Sequence, residues 1–170
     1  MIKLKCVKNL EDNGLTIGNY MIYSLLVDDV IVSNYYVNFF RRISGAKMFY
    51  KAEIEYENLF SCNQNSEYVN KGYTKQGLEL LCKELFRNNL TPYIYLSINK
   101  NNEISKHVAL STGFKQVDDE TFCIYHPDAI NLYKEAIRIL NEMGNEAQYK
   151  SEIDDFESMV NGGIKSEKSR

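Results

Sequence analysis

The sequence predicts an α/β chain of the α+β kind, strands first and helices after, on three observations. From Ile17 to Leu59 it is dense in β-branched and aromatic residues broken by short polar turns. After Gly72 the pattern changes, and Leu78, Leu81, Cys82, Leu85 and Phe86 recur at the three- and four-residue steps of an amphipathic helix. Pro92 then bars continuation, and Tyr93 to Ile98 is an apolar run long enough for one buried strand, so the chain returns from helix to sheet.

The elements follow in order. Ile2 to Lys8 alternates imperfectly and reads as a first strand, followed by a polar loop from Asn9 to Thr16. Ile17 to Val27 and Val30 to Phe40 read as two strands joined by Asp28-Asp29, a connection suited to a tight hairpin. Arg41 to Ala46 is read as the next turn and Met48 to Leu59 as a third strand of the meander. Ser61 to Tyr68 is polar, either a flap or an inert insertion. The helix after Gly72 turns Glu79, Lys83, Glu84 and Arg87 outward. Beyond the strand at Tyr93, Asn99 to Asn102 is polar and Ser105 to Ser111 reads as a short helix ended by Gly113. Phe114 to Val117 and Phe122 to Tyr125 bracket Asp118-Asp119-Glu120 as a last hairpin. Pro127-Asp128 opens a helix with Ile130, Tyr133, Ile137 and Leu140 inward, broken at Gly144-Asn145. A weaker helix follows, with Ile153, Phe156 and Val160 inward, and the chain from Gly162 on reads as a disordered, charged tail.

Two blocks carry a resemblance. Asn102-x-x-Ser105-x-x-Val108-Ala109-x-x-x-Gly113-Phe114 resembles the closing motif of the GNAT superfamily of acyl-CoA N-acyltransferases, in particular the branch that acetylates ribosomal-protein amino termini. Upstream, Asn70-Lys71-Gly72-Tyr73-Thr74 stands where that family carries its glycine-rich pyrophosphate loop, and the resemblance spans Ile17 to His126. Such a loop works because unpaired backbone N–H groups at a helix N-terminus, aided by the helix dipole, bind an anion without needing a cation. The chain also departs from the pattern. It has Val69 where the family has Arg or Gln, Thr74 where it has a second Gly or Ala, and Ala109 where many relatives carry a tyrosine that protonates the departing thiolate.

The resemblance implies a GNAT-like central mixed, mostly antiparallel sheet with flanking helices, in which one central strand splays from the strand at Tyr93 and the pantetheine arm of coenzyme A lies in the gap. The N-terminal helices are reduced, because Asn9 to Thr16 cannot hold the two that the family places there. It divides the chain into an acyl-CoA binding domain at 1–126, a helical extension at 127–160 and a tail at 161–170. The extension covers the bare sheet face, makes a homodimer contact or docks a partner, with core packing the default. The implied cofactor is acetyl-CoA, used as co-substrate with no metal, and the implied partner is a primary amine of a small molecule or protein terminus. Backbone amides of Lys71, Gly72, Tyr73 and Thr74 would hold the pyrophosphate, with the Thr74 hydroxyl available to a phosphate oxygen. Asn102 and Ser105 would bond the pantetheine region or fix the second helix. The alternative is a catalytically inactive GNAT-fold protein serving as a ligand-binding or interaction module.

On the third strand Glu53, Glu55 and Glu57 alternate with Ile54 and Tyr56, so the three carboxylates share a face. That is either a solvated face of an antiparallel sheet or the seat of a general base for the attacking amine. Glu53 is the first candidate, since the matching position in several relatives carries a glutamate.

Composition excludes other classes. In 170 residues, 44% are hydrophobic and 25% charged, as in ordinary globular chains, and the net charge of −3 offers no basic surplus for nucleic acid. Cys6, Cys62, Cys82 and Cys123 form no C-x-x-C pair, and His107 and His126 are too separated for a histidine-rich metal site. No apolar run reaches membrane-spanning length and no leader pattern opens the chain, so a cytoplasmic location is expected.

Overall fold

The computed structural model describes residues 1–10, 19–43, 48–59, 66–141 and 154–161. Its strands are β1 (Ile2–Lys8), β2 (Tyr20–Val27), β3 (Val30–Ile43), β4 (Met48–Asn58), β5 (Tyr93–Ser97), β6 (Lys115–Gln116) and β7 (Thr121–Tyr125). Its helices are α1 (Tyr73–Arg87), α2 (Glu103–Thr112), α3 (Ala129–Asn141) and α4 (154–161). The seven strands form one mixed, mostly antiparallel sheet in the order β1-β2-β3-β4-β5-β7-β6, in which the β4/β5 pair alone is parallel.

Local chemistry sets these elements. Asp28 and Asp29 both take positive φ, 48° and 68°, the double left-handed turn whose twist matches that of a two-residue hairpin. Arg41 to Ile43 are strand rather than the expected turn, β3 continuing through Ile43 in register with Met48, and the rest of that expected turn lies outside the described residues. Helix α2 opens two residues before the expected Ser105, because Asn102 supplies its cap. Gly113, at φ 110°, closes it as expected. The loop expected at Asn9 to Thr16, the first part of the polar stretch at Ser61 and the break at Gly144 lie wholly or mostly outside the described residues.

The sheet carries a core on each face. On one, Leu25, Tyr35, Val37, Ala52, Ile54 and Ile94 pack against Leu78, Leu81, Leu85 of α1 and Ala109 of α2, all of them buried. On the other, Tyr93 and Cys123 pack with Ala129 and Tyr133 of α3 and Phe156 of α4, with Tyr50, Tyr95 and Tyr125 at the edges. Tyr133 and Phe156 stack with centroids 4.0 Å apart. Among the described residues no helix is long and apolar enough to cross a membrane.

Candidate active site

The parallel joint is short. Ala52 pairs with Ile94 and Glu53 with Tyr95, and no register pair joins the two strands beyond that point. β4 runs on to Asn58, still paired to β3 on its other side, whereas β5 ends at Ser97. The last five residues of β4 thus leave a gap about 16 Å long, at roughly 3.3 Å per residue, closed at Glu53 and open at Asn58.

The N-terminus of α1 stands at the open end. Asn70 and Gly72 take left-handed φ of 60° and 77°, on either side of Lys71, which does not. Alternation of this kind turns successive N–H groups toward one point, an anion-binding nest. Gly72 is the N-cap of α1, makes no side-chain cap, and no acidic residue stands in the first turn. A Cβ built on Gly72 would meet nothing within 4 Å, so the approach to these amides is open. The Thr74 hydroxyl donates to Asn58 Oδ1 at 2.7 Å, which ties α1 to the end of β4. From below, the Tyr35 hydroxyl donates to the Thr74 carbonyl at 3.1 Å. Tyr35 reaches that point by lying on Gly77, where a Cβ would stand 2.0 Å from the phenol oxygen.

Helix α2 flanks the gap. The Asn102 side chain accepts from the Ser105 N–H at 3.1 Å and so caps the helix. Ser105 is half-buried on the inner side and Ala109, one turn on, is fully buried. Tyr56 of β4 reaches toward Ser105, its ring 6.1 Å from that of Tyr35, and its hydroxyl is buried with no hydrogen-bond partner. Burial pushes this phenol up in pKa, and the adjacent Ser105 pulls it partly back.

The three carboxylates share a face of β4 yet differ in circumstance. Glu57 accepts from the Tyr36 hydroxyl at 2.5 Å and from Asn34 Nδ2 at 3.2 Å, and the Tyr36 bond above all holds its carboxyl below the usual range. Glu55 is exposed. Glu53 is half-buried at the closed end of the gap, where the Ser97 hydroxyl donates to its Oε2 at 3.0 Å. Lys51 lies beside it over the rings of Tyr95 and Phe40, at 5.2 and 5.7 Å from their centroids.

No family model matches the chain, and no curated protein matches it. Solved structures do. The ribosomal-protein-S5-alanine acetyltransferase of Vibrio fischeri superposes with a TM-score of 0.52 at 15% identity, over 65% of this chain and 63% of that one. An aminoglycoside acetyltransferase in complex with coenzyme A superposes at 0.50 and 12% identity, over 66% and 69% of the two chains. The fold is the GNAT fold. The chain spans a little under two thirds of the Vibrio protein's length.

Within this GNAT fold the site residues read from sequence fall into three groups. Lys71, Gly72, Tyr73 and Thr74 stand at the open end of the gap, Asn102 and Ser105 along its α2 side, and Glu53 at its closed end. Sequence reasoning missed Tyr35, Asn58, Tyr56 and Ser97. One signal was available, since a glycine inside an amphipathic helix costs about 1 kcal/mol against alanine and so marks a close approach, here that of Tyr35 on Gly77. A separate cavity of about 750 Å³ lies between β1, β2 and the outer side of α1, lined by Leu4, Cys6, Tyr23, Leu80 and Glu84, and shares no residue with the gap.

Proposed function

We propose that this protein is an N-acetyltransferase that moves an acetyl group from acetyl-CoA to a primary amine by direct attack. The observation that carries this reading is the parting of β4 from β5 after Glu53, with an uncapped, Gly72-led helix N-terminus at the far end of the gap. The residues present fit the co-substrate: the nest at Asn70 to Gly72 suits a pyrophosphate, and the approach to it is open. Bound there, acetyl-CoA supplies an activated acyl group as a thioester.

The chain's own residues then divide the work. Backbone amides of Lys71 to Thr74 hold the diphosphate, and the Thr74–Asn58 and Tyr35–Thr74 bonds fix those amides in place. Glu53 takes the proton that an ammonium must lose before nitrogen can attack, and Ser97 orients its carboxylate. Glu57, already committed to Tyr36 and Asn34, is a structural acid.

Calorimetry with acetyl-CoA tests the first half of this reading. Micromolar binding is expected, and Gly72→Asp should abolish it, because the added carboxylate faces the diphosphate; no binding by the parent chain would overturn the reading. Transfer to a panel of amines tests the second half. Glu53→Gln should lower kcat about a hundredfold or more with little change in the KM for acetyl-CoA, whereas Glu57→Gln should leave kcat nearly unchanged.

One observation favours a second reading, a GNAT-fold binding protein without catalysis. Ala109 puts a fully buried methyl on α2, at the position where many relatives carry an acid for the departing thiolate. Tight coenzyme A binding with no transfer to any amine of the panel would select this reading.

A further inference from the structure

The cavity beside β1 lies at an edge of the sheet. β1 pairs with β2 on one side and, among the described residues, with no strand on the other. The Asp28 N–H donates to the Met1 carbonyl at 2.9 Å, which makes Met1 and Asp28 a hydrogen-bonded pair of the antiparallel ladder. Such pairs alternate with non-hydrogen-bonded ones, so Lys3 and Lys5 turn their backbone groups toward β2, while Ile2, Leu4 and Cys6 turn theirs away from it. Side chains sort by the same alternation. Those of Ile2, Leu4 and Cys6 line the cavity together with Tyr23, Leu80 and Leu90, and Ile2, Cys6 and Leu80 are exposed there. Those of Lys3 and Lys5 stand on the opposite face, exposed and without an ion pair among the described residues.

An open edge of this kind is a template for one more strand. Ile2 to Cys6 spans about 13 Å at roughly 3.3 Å per residue, enough for an added strand to send alternate side chains into the cavity. Charge decides which strand fits. In a second copy laid antiparallel on β1 about Leu4, Lys3 of one chain would stand opposite Lys5 of the other, and like charges directly opposite destabilise. Carboxylates at those places would meet both lysines. We propose that the β1 edge and its cavity bind an extended peptide of a partner protein in which apolar residues alternate with carboxylates, added to the sheet beyond β1. Its apolar side chains fill the cavity beside Leu4 and Leu80, and its carboxylates lie on Lys3 and Lys5. The lysines that keep identical edges apart thereby select the partner. This site shares no residue with the gap between β4 and β5, and it stands independently of the acyl-CoA reading.

The test is amide hydrogen exchange on the full chain, with a capped heptapeptide that alternates glutamate with valine and a counterpart carrying lysine in place of glutamate. The acidic peptide should bind and slow exchange at Ile2, Leu4 and Cys6, leaving Lys3 and Lys5, already bonded to β2, unchanged. The double variant Lys3→Glu, Lys5→Glu alters exposed side chains alone. It should lose about tenfold or more in affinity for the acidic peptide and gain affinity for the lysine peptide, a gain that an unfolded chain could not show. No binding of the acidic peptide, binding without protection of these amides, or an unchanged preference in the double variant would each overturn the proposal. So would self-association of the parent chain in sedimentation that protects the same amides without peptide.

Discussion

Gly77 shows how one missing methyl group sets the geometry of a site. A helix-interior glycine is ordinarily worth replacing, since alanine stabilises by about 1 kcal/mol. Here the added Cβ would stand 2.0 Å from the Tyr35 oxygen, so the ring must leave the position from which it holds the Thr74 carbonyl. Gly77→Ala should therefore destabilise by about 1–3 kcal/mol in urea unfolding and weaken acetyl-CoA, although residue 77 itself faces away from any ligand. Gly72 is the opposite case, with open space about it and a left-handed φ, so its demand for glycine comes from the backbone and from what must approach it. Side chains were legible in unequal measure. Leu78, Leu81, Cys82 and Leu85 announced their burial by spacing, and all are buried. The bond from Thr74 to Asn58 was not legible, because sixteen residues separate the partners and only the folded sheet brings them together.

At the scale of elements, period and punctuation carried most of the reading. The hairpin at Asp28-Asp29, helix α1 between Gly72 and Pro92, and the closing turn at Gly113 are local objects whose signals lie within a few residues. The length of the β4/β5 pairing is another kind of object, fixed by how far a crossover helix lets two distant strands run together. It entered the sequence reading through resemblance alone. Helices α3 and α4 add a second core, and that core has a titration signature. Burial pushes the Cys123 thiol from 9.0 up to about 11 and the Tyr125 phenol from 10.0 up to about 12. Each is held neutral by the fold, so the stability it contributes is complete below its ordinary value and is lost as pH rises through the raised one. Melting temperature should stay level from neutral pH to about pH 9 and fall between about pH 9 and 12. Cys123→Ala should make the fall shallower without removing it, since Tyr93 and Cys82 are shifted the same way.

The whole molecule is two antiparallel units side by side. β1 to β4 form a meander of consecutive strands, and β5, β7 and β6 form a smaller unit. Between them stand two register pairs, with one helix-bearing core on each face. Most of the pairings that build the larger unit join neighbours in sequence. The pairings at Ala52 and Glu53 do not, because they must bring residue 53 to residue 95 across the whole of α1. Loop closure of that span is entropically costly before any contact rewards it, and parallel pairing forms slowly for that reason. The same two-pair joint therefore carries the longest closure in the sheet, and the core on the α1 side, which takes Leu25, Val37 and Ile54 from the larger unit and Ile94, Leu96 and Phe122 from the smaller, is complete only when the two units have met.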